Sequence, residues 1–312
     1  MNSKPCSISR REFVSRTALA AAGAALALEQ GWGAETAPFS PPLAVFSKVY
    51  QELKLDFDQA GALTADAGLD GVDTPVRPGG EILPERATED LPRYAEALRR
   101  HKKDVLLLTT AILGPATPHT EDILRTAKKL GVRYYRLGFV PLQPQTEVAK
   151  ELVEAKARLR ELAALNRELG LTAVFQNHSA VGRSRYLGGN LSELYEIVKD
   201  FPPEQIGVAF DLGHALIMHG QEWSSWFEKL KSHVQVAYVK DTDPGRRFVR
   251  FGEGEFSRTD WFSRLKAMHY RAPFSIHIEF DWTGPDKRKT REAMVKSLQE
   301  CVATLRQWIS KA

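Results

Sequence analysis

Eight times between residues 43 and 309 a short apolar run gives way to a longer amphipathic one, and few folds accommodate that alternation. The strand-like runs are Leu43–Lys48, Leu69–Asp73, Val105–Thr110, Tyr134–Phe139, Thr172–His178, Gly207–Asp211, Val234–Lys240 and Phe274–Asp281. Helical patterns follow them at 54–66, 88–101, 120–130, 146–169, 191–200, 221–232, 258–268 and 289–309. Asn190 and Thr259 stand where helix N-caps belong, and Gly131 and Gly170 where helices should stop. Eight β-then-α units with short connections predict an α/β chain closed into a single-domain (β/α)8 TIM barrel over 40–312. A doubly wound sheet is the alternative. It would carry a Gly-rich phosphate turn after its first strand, and Phe46-Ser47-Lys48-Val49 has none.

Residues 1–34 fall outside the repeat. Ser9-Arg10-Arg11-Glu12-Phe13 precedes an Ala-rich apolar run from Thr17 to Leu28, then small residues at Gly31, Gly33 and Ala34. That order predicts a twin-arginine signal peptide, and with it the twin-arginine export machinery as a transient partner and a periplasmic or otherwise exported destination. The apolar run is too short for a permanent membrane anchor, which needs about 20 residues. Beyond the leader the chain carries 39 basic and 37 acidic residues, no footprint for nucleic acid. Cys6 lies in the leader and Cys301 is alone in the remainder, so no disulfide framework is available; Cys301 reads as a small buried apolar residue.

Strand side chains alternate between faces. In the last strand Phe274, Ile276, Ile278 and Phe280 form an apolar face suited to packing on helices, which turns Ser275, His277, Glu279 and Asp281 into the barrel. The same count puts Val174, Gln176 and His178, then Ala209 and Asp211, then Val236, Tyr238 and Lys240 inward, with Arg136 inward on the fourth strand and Asp73 ending the second. Polar groups so placed must serve one another, a metal or a substrate. Asp73, Arg136, Gln176, His178, Asp211, His214, Lys240, His277 and Glu279 converge on the C-terminal mouth, where barrel active sites are built. His178 suits proton transfer near neutrality, and Lys240 could serve as a fixed cation or, if desolvated, as an acid/base. Arg77, in an Arg-Pro-Gly-Gly rim loop, either clamps a substrate anion or pairs with Glu85 or Asp73. Trp282, just past the last strand, is a stacking candidate, whereas Trp223, Trp226 and Trp261 read as packing. Gly252-Glu-Gly254 reads as a rim turn and lacks the phosphate-loop spacing.

With these segments in order the chain resembles the xylose-isomerase-like barrels of the sugar phosphate isomerase/epimerase superfamily, in an exported, twin-arginine branch. The matching stretches are Val45-Phe46-Ser47-Lys48, Gly71-Val72-Asp73 through Pro84-Glu85-Arg86, Gln176-Asn177-His178-Ser179, Phe210-Asp211-Leu212-Gly213-His214-Ala215, Lys240-Asp241, Gly252-Glu253-Gly254-Glu255 and Ser275-Ile276-His277-Ile278-Glu279. The resemblance implies a sugar or sugar derivative as substrate and one divalent ion (Mn, Zn, Co or Mg) held by Glu, Asp, His and Glu from the fifth to eighth strands. By position Asp211 and Glu279 match, while Gln176 stands for the first Glu and Tyr238 for the His. Gln176 can ligate but cannot take a proton, so the symmetric two-carboxylate scheme does not carry over. Asp211, Glu279, Gln176, His214 and His277 are the candidate ligands. Glu279, His178 and Lys240 are the candidate catalytic groups, and Asp73, Arg77, Arg136, Gln176 and Trp282 the candidate substrate contacts. The leading expectation is a sugar isomerase or epimerase acting by metal-assisted proton transfer next to a carbonyl. The alternatives are a lyase or hydrolase that eliminates a β-linked group, and a non-catalytic sugar-binding barrel.

Overall fold

In a computed structural model that describes residues 38–180, 185–284 and 286–312, residues Phe39–Ala312 form one compact unit. Eight parallel strands close on themselves in chain order: β1 (Leu43–Phe46), β2 (Gly71–Val76), β3 (Asp104–Thr110), β4 (Tyr134–Arg136), β5 (Thr172–Gln176), β6 (Ile206–Asp211), β7 (Val234–Val239) and β8 (Phe274–Ile276). β8 pairs with β1, Leu43 against Phe274, so the cylinder has no free edge. The (β/α)8 barrel is thus present. The predicted leader, 1–34 with Cys6, lies outside the described residues. Among the described residues no helix is long and apolar enough to cross a membrane.

Two apolar populations hold the barrel together, and alternation sorts them. Val72, Ala173, Phe175, Val208, Phe210, Ala237, Val239, Phe274 and Ile276 face the helices in the larger core. Ala44, Leu107, Val174, Ala209, Val236 and Tyr238 fill the lumen as a second, smaller cluster. That plug closes the lower barrel and leaves only the C-terminal end for chemistry. Cys301 is buried as read, its thiol pushed up to about 12 by burial.

Several boundaries differ from the sequence expectation. The apolar alternation runs to Asp281, whereas β8 ends at Ile276, although the His277 amide still donates to the Val239 carbonyl. β4, β5 and β7 likewise stop at Arg136, Gln176 and Val239, because the chain leaves the ladder where its side chains begin to form the mouth. Gly131 and Gly170 end their helices at φ 82° and 70°, left-handed values that favour glycine. Asn190 caps its helix through the Ser192 amide. Thr259 is not a cap: its hydroxyl donates to the Phe256 carbonyl, closing a 3-10 turn, and Asp260 precedes the helix instead. A helix unforeseen in the sequence, Leu212–His219, starts directly off β6 with Asp211 as its N-cap. That cap ties the end of a barrel strand to the position of His214.

Candidate active site at the barrel mouth

The mouth is organised around one buried carboxylate. Asp211 is fully buried, and its side chain receives three donors: Lys240 Nζ at 3.0 Å and Gln176 Nε2 at 2.8 Å on Oδ2, and the His214 amide at 3.2 Å on Oδ1. Burial pushes its pKa up, and the Lys240 ammonium and the hydrogen bonds push it back. Its backbone is clamped as well. Asn177 accepts from the Asp211 amide and donates to the Asp211 carbonyl, both at 2.8 Å, so a side-chain amide takes the place of strand pairing beyond the end of β5.

Donor and acceptor rules fix the neighbouring histidines. Lysine can only donate, so His214 Nε2, 2.9 Å from Lys240 Nζ, is an acceptor, and Nδ1–H donates to Ser179 Oγ at 2.8 Å. Burial and the neighbouring Lys240 charge hold the His214 pKa far below its ordinary value, so the ring is neutral. His178 lies 3.9 Å from His214, centroid to centroid. Its pKa is pulled down to about 4 by burial and then by Lys240. The neutral ring donates Nδ1–H to the Ser179 carbonyl at 2.8 Å, leaving Nε2 with its lone pair.

On the opposite side Asp73 receives Thr109 Oγ1 at 2.8 Å and Ser275 Oγ at 2.9 Å. Desolvation raises its pKa to about 6. His277 lies 3.9 Å from Asp73, stacks near Tyr238, and has a buried Nε2 with no hydrogen-bond partner. Glu279 sits at the rim, 2.8 Å from Lys48 Nζ. Arg136 is buried against Phe139, its Cζ 4.4 Å from the ring centroid, and Arg77 rests over Phe46 at 5.4 Å.

The sequence-derived cluster is therefore brought together in the main, with corrections. The expected divalent ion (Mn, Zn, Co or Mg) does not fit this donor set. Among the described residues no three His, Cys, Asp or Glu side chains converge on one point. An ionised carboxylate only accepts, so Gln176 must aim its NH2 at Asp211 and turn its carbonyl oxygen away. His214 Nε2 is spent on Lys240, His277 faces Asp73 instead of Asp211, and Glu279 is held by Lys48. An ammonium stands where Asp211 and His214 would otherwise share a cation. Trp282 is also misplaced as a stacking surface: it is 6% exposed and belongs to the apolar layer between barrel and helices. The aromatic rings at the mouth are Phe46, Phe139, Tyr186 and Phe248. None is a sequence-derived contact: Phe46 and Phe139 read as ordinary apolar ends of strands, and Tyr186 and Phe248 lie in connections that carry no periodic signal.

Two further groups were missed for identifiable reasons. Alternation points Asn177 away from the lumen, yet it reaches sideways to β6. Asp241 was read only as part of a matching pair, yet its carboxylate accepts from the amides of Thr242, Gly252, Gly254 and Phe256. Gly254 is required there, since a Cβ would lie 2.2 Å from Asp241 Oδ1. A hollow of about 650 Å³ on the outer helices, lined in part by Asp58, Arg86, Asp90 and Arg100, contains no mouth residue, and its charges are already paired as Arg86–Asp90 and Arg100–Asp58.

Asp73 makes a testable contribution to stability. Its folded pKa of about 6 lies above the unfolded carboxylate value, so the native state holds the extra proton. Its stabilising contribution is complete below pH ~4 and lost as pH rises through ~6, a change of about 2–3 kcal/mol. Urea unfolding of wild type and Asp73→Asn across pH 4–8 should show the variant gaining that much relative to wild type as pH rises. A pH-independent difference would contradict the burial argument.

The profile of the xylose isomerase-like TIM barrel family matches residues 62–301. No curated protein sequence matches the chain. Among solved structures it is similar to D-psicose 3-epimerase from Clostridium cellulolyticum H10, with TM-score 0.67 and 11% identity over 86% of this chain and 99% of that one. A xylose isomerase domain protein from Alicyclobacillus acidocaldarius gives 0.66 and 16% over 88% and 100%. The 3-keto-D-glucoside 4-epimerase of E. coli gives 0.62 and 12% over 86% and 100%. At these identities the likeness is one of fold. Taken with the family profile across most of the barrel, it places this chain in the xylose isomerase-like TIM barrel family.

Proposed function

We propose that the protein is a sugar isomerase or epimerase that moves a proton at a carbon next to a carbonyl, with the Lys240 ammonium as its fixed electrophile. The observation that carries this reading is the placement of Lys240 Nζ, 3.0 Å from Asp211 and 2.9 Å from His214 at the C-terminal end of the barrel. A buried cation held by two partners costs little reorganisation when negative charge develops on a substrate oxygen beside it. His178, neutral with a free Nε2, and Glu279 at the rim are the two groups for proton transfer. His178 Nε2 takes the proton from carbon, the enediolate oxygen rests against Lys240, and the imidazolium so formed returns the proton to the neighbouring carbon; return on the opposite face draws on a solvent proton relayed through Glu279. Phe139, Tyr186 and Phe248 supply apolar surface for a sugar ring. The sugar epimerases among the structural neighbours support the reaction class.

Incubation of free ketoses and 3-keto-glycosides in D2O tests this. The expected product carries deuterium beside the carbonyl with all other bonds intact, and Lys240→Gln should lower kcat by about 10²–10³-fold, with folding checked by circular dichroism. Release of an aglycone would establish elimination instead, and binding without exchange would establish a sugar-binding barrel. We also propose export through the twin-arginine route. Arg10→Lys with Arg11→Lys should retain the precursor in the cytoplasm in cell fractionation, and unchanged export of the double variant would refute the route.

A further inference from the structure

The charges of the mouth do not balance evenly around its circumference. On the side running from β6 through β8 to β1 each of these cations has a carboxylate: Lys240 meets Asp211, and Lys48, just after β1, meets Glu279. On the β2–β4 side two guanidinium groups have none. Arg136 is 3% exposed and makes one hydrogen bond, Nη1 to the Leu137 carbonyl at 2.9 Å. Arg77, half-buried on the rim loop, forms neither of the ion pairs open to it in the sequence, with Glu85 or Asp73. Among the described residues no carboxylate oxygen lies within 4.0 Å of either. Asp73 is the near carboxylate, and its two oxygens are occupied by Thr109 and Ser275.

A guanidinium has five donors and no acceptor, and burying it uncompensated costs several kcal/mol. At a ligand-binding mouth an incoming anion offsets that cost. Barrels of this architecture commonly take a phosphate at the loops after the seventh and eighth strands, and the turn after the seventh strand is committed elsewhere here. The four amides of the Thr242–Phe256 turn that could cradle a phosphate all point at the Asp241 carboxylate. Two arginines backed by aromatic rings suit a planar carboxylate bound through the guanidinium fork.

We infer that the substrate is a sugar acid, its carboxylate held by Arg136 with Arg77 and its carbonyl end directed to Lys240. The inference rests on the proton-transfer reading only for where the carbonyl goes; the anion site stands on the two arginines.

Isothermal titration of the mature protein at low ionic strength tests it, using D-glucuronate, D-galacturonate and D-gluconate against D-glucose, D-galactose and D-glucose 6-phosphate. At least one acid should bind tenfold or more tighter than its neutral counterpart and than the phosphate. That preference should fall at least tenfold in Arg136→Gln and in Arg77→Gln, each verified as folded by its thermal transition. Arg77 lies on a rim loop, so its variant keeps the test open if Arg136→Gln does not fold. Equal binding of acids and neutral sugars, tighter binding of the phosphate, no binding of any acid at millimolar concentration, or an acid preference unchanged in the variants would overturn the inference. Because the readout needs no turnover, acid binding without deuterium exchange sinks the isomerase reading alone. Exchange on a neutral sugar with no acid preference sinks the sugar-acid inference alone.

Discussion

The ion pair between Lys240 and Asp211 sets the arrangement of everything else at the mouth. Both side chains are almost wholly buried, and removing one partner of such a pair typically costs about 3–5 kcal/mol because the other is left as an unpaired charge in a low-dielectric interior. The surroundings are built accordingly. Asn177 fixes the backbone of Asp211, Gln176 gives its carboxylate a neutral donor, and the helix starting at Leu212 brings His214 round to accept from Lys240. Ser179 then orients both histidines, one through its hydroxyl and one through its carbonyl.

Charge balance explains the residue at position 176. A divalent ion tolerates two or three carboxylates around it, whereas a single ammonium is neutralised by one. With Lys240 on Asp211, a glutamate at 176 would place a second carboxylate about 3 Å from the first, and two such groups cannot both stay ionised. Gln176 and Lys240 are thus parts of the same arrangement. A neutral His214 beside the ammonium fits it too, since a protonated ring there would repel Lys240.

Much of this was legible in the sequence. The eightfold alternation fixed the barrel, and period-two counting sorted lumen from outer face correctly at Ala209, Val236 and Tyr238 against Phe210, Ala237 and Val239. It also brought Asp73, Arg136, Gln176, Asp211 and Lys240 to one end. It could not report which way a polar tip turns once there. Gln176 ends β5 and Glu279 lies just beyond β8, yet one donates to Asp211 and the other pairs with Lys48, outcomes set by partners distant in sequence. Sideways and loop-borne contacts were beyond periodicity for the same reason: Asn177 reaching β6, Asp241 filling its own amide nest, and Phe139, Tyr186 and Phe248 closing the rim. Trp282 satisfied the positional rule for a sugar platform and was claimed by the apolar layer beneath it.

Lys240 is the cation paired with Asp211 at the mouth. Elemental analysis of protein purified without chelator, then dialysed against metal-free buffer, addresses that directly. It should find less than about 0.1 equivalent of any divalent transition metal per chain, because the ammonium already satisfies Asp211 and His214. One equivalent of tightly held Mn, Zn or Co, lost in Asp211→Asn, would contradict the account and restore a metal to the centre of the mouth.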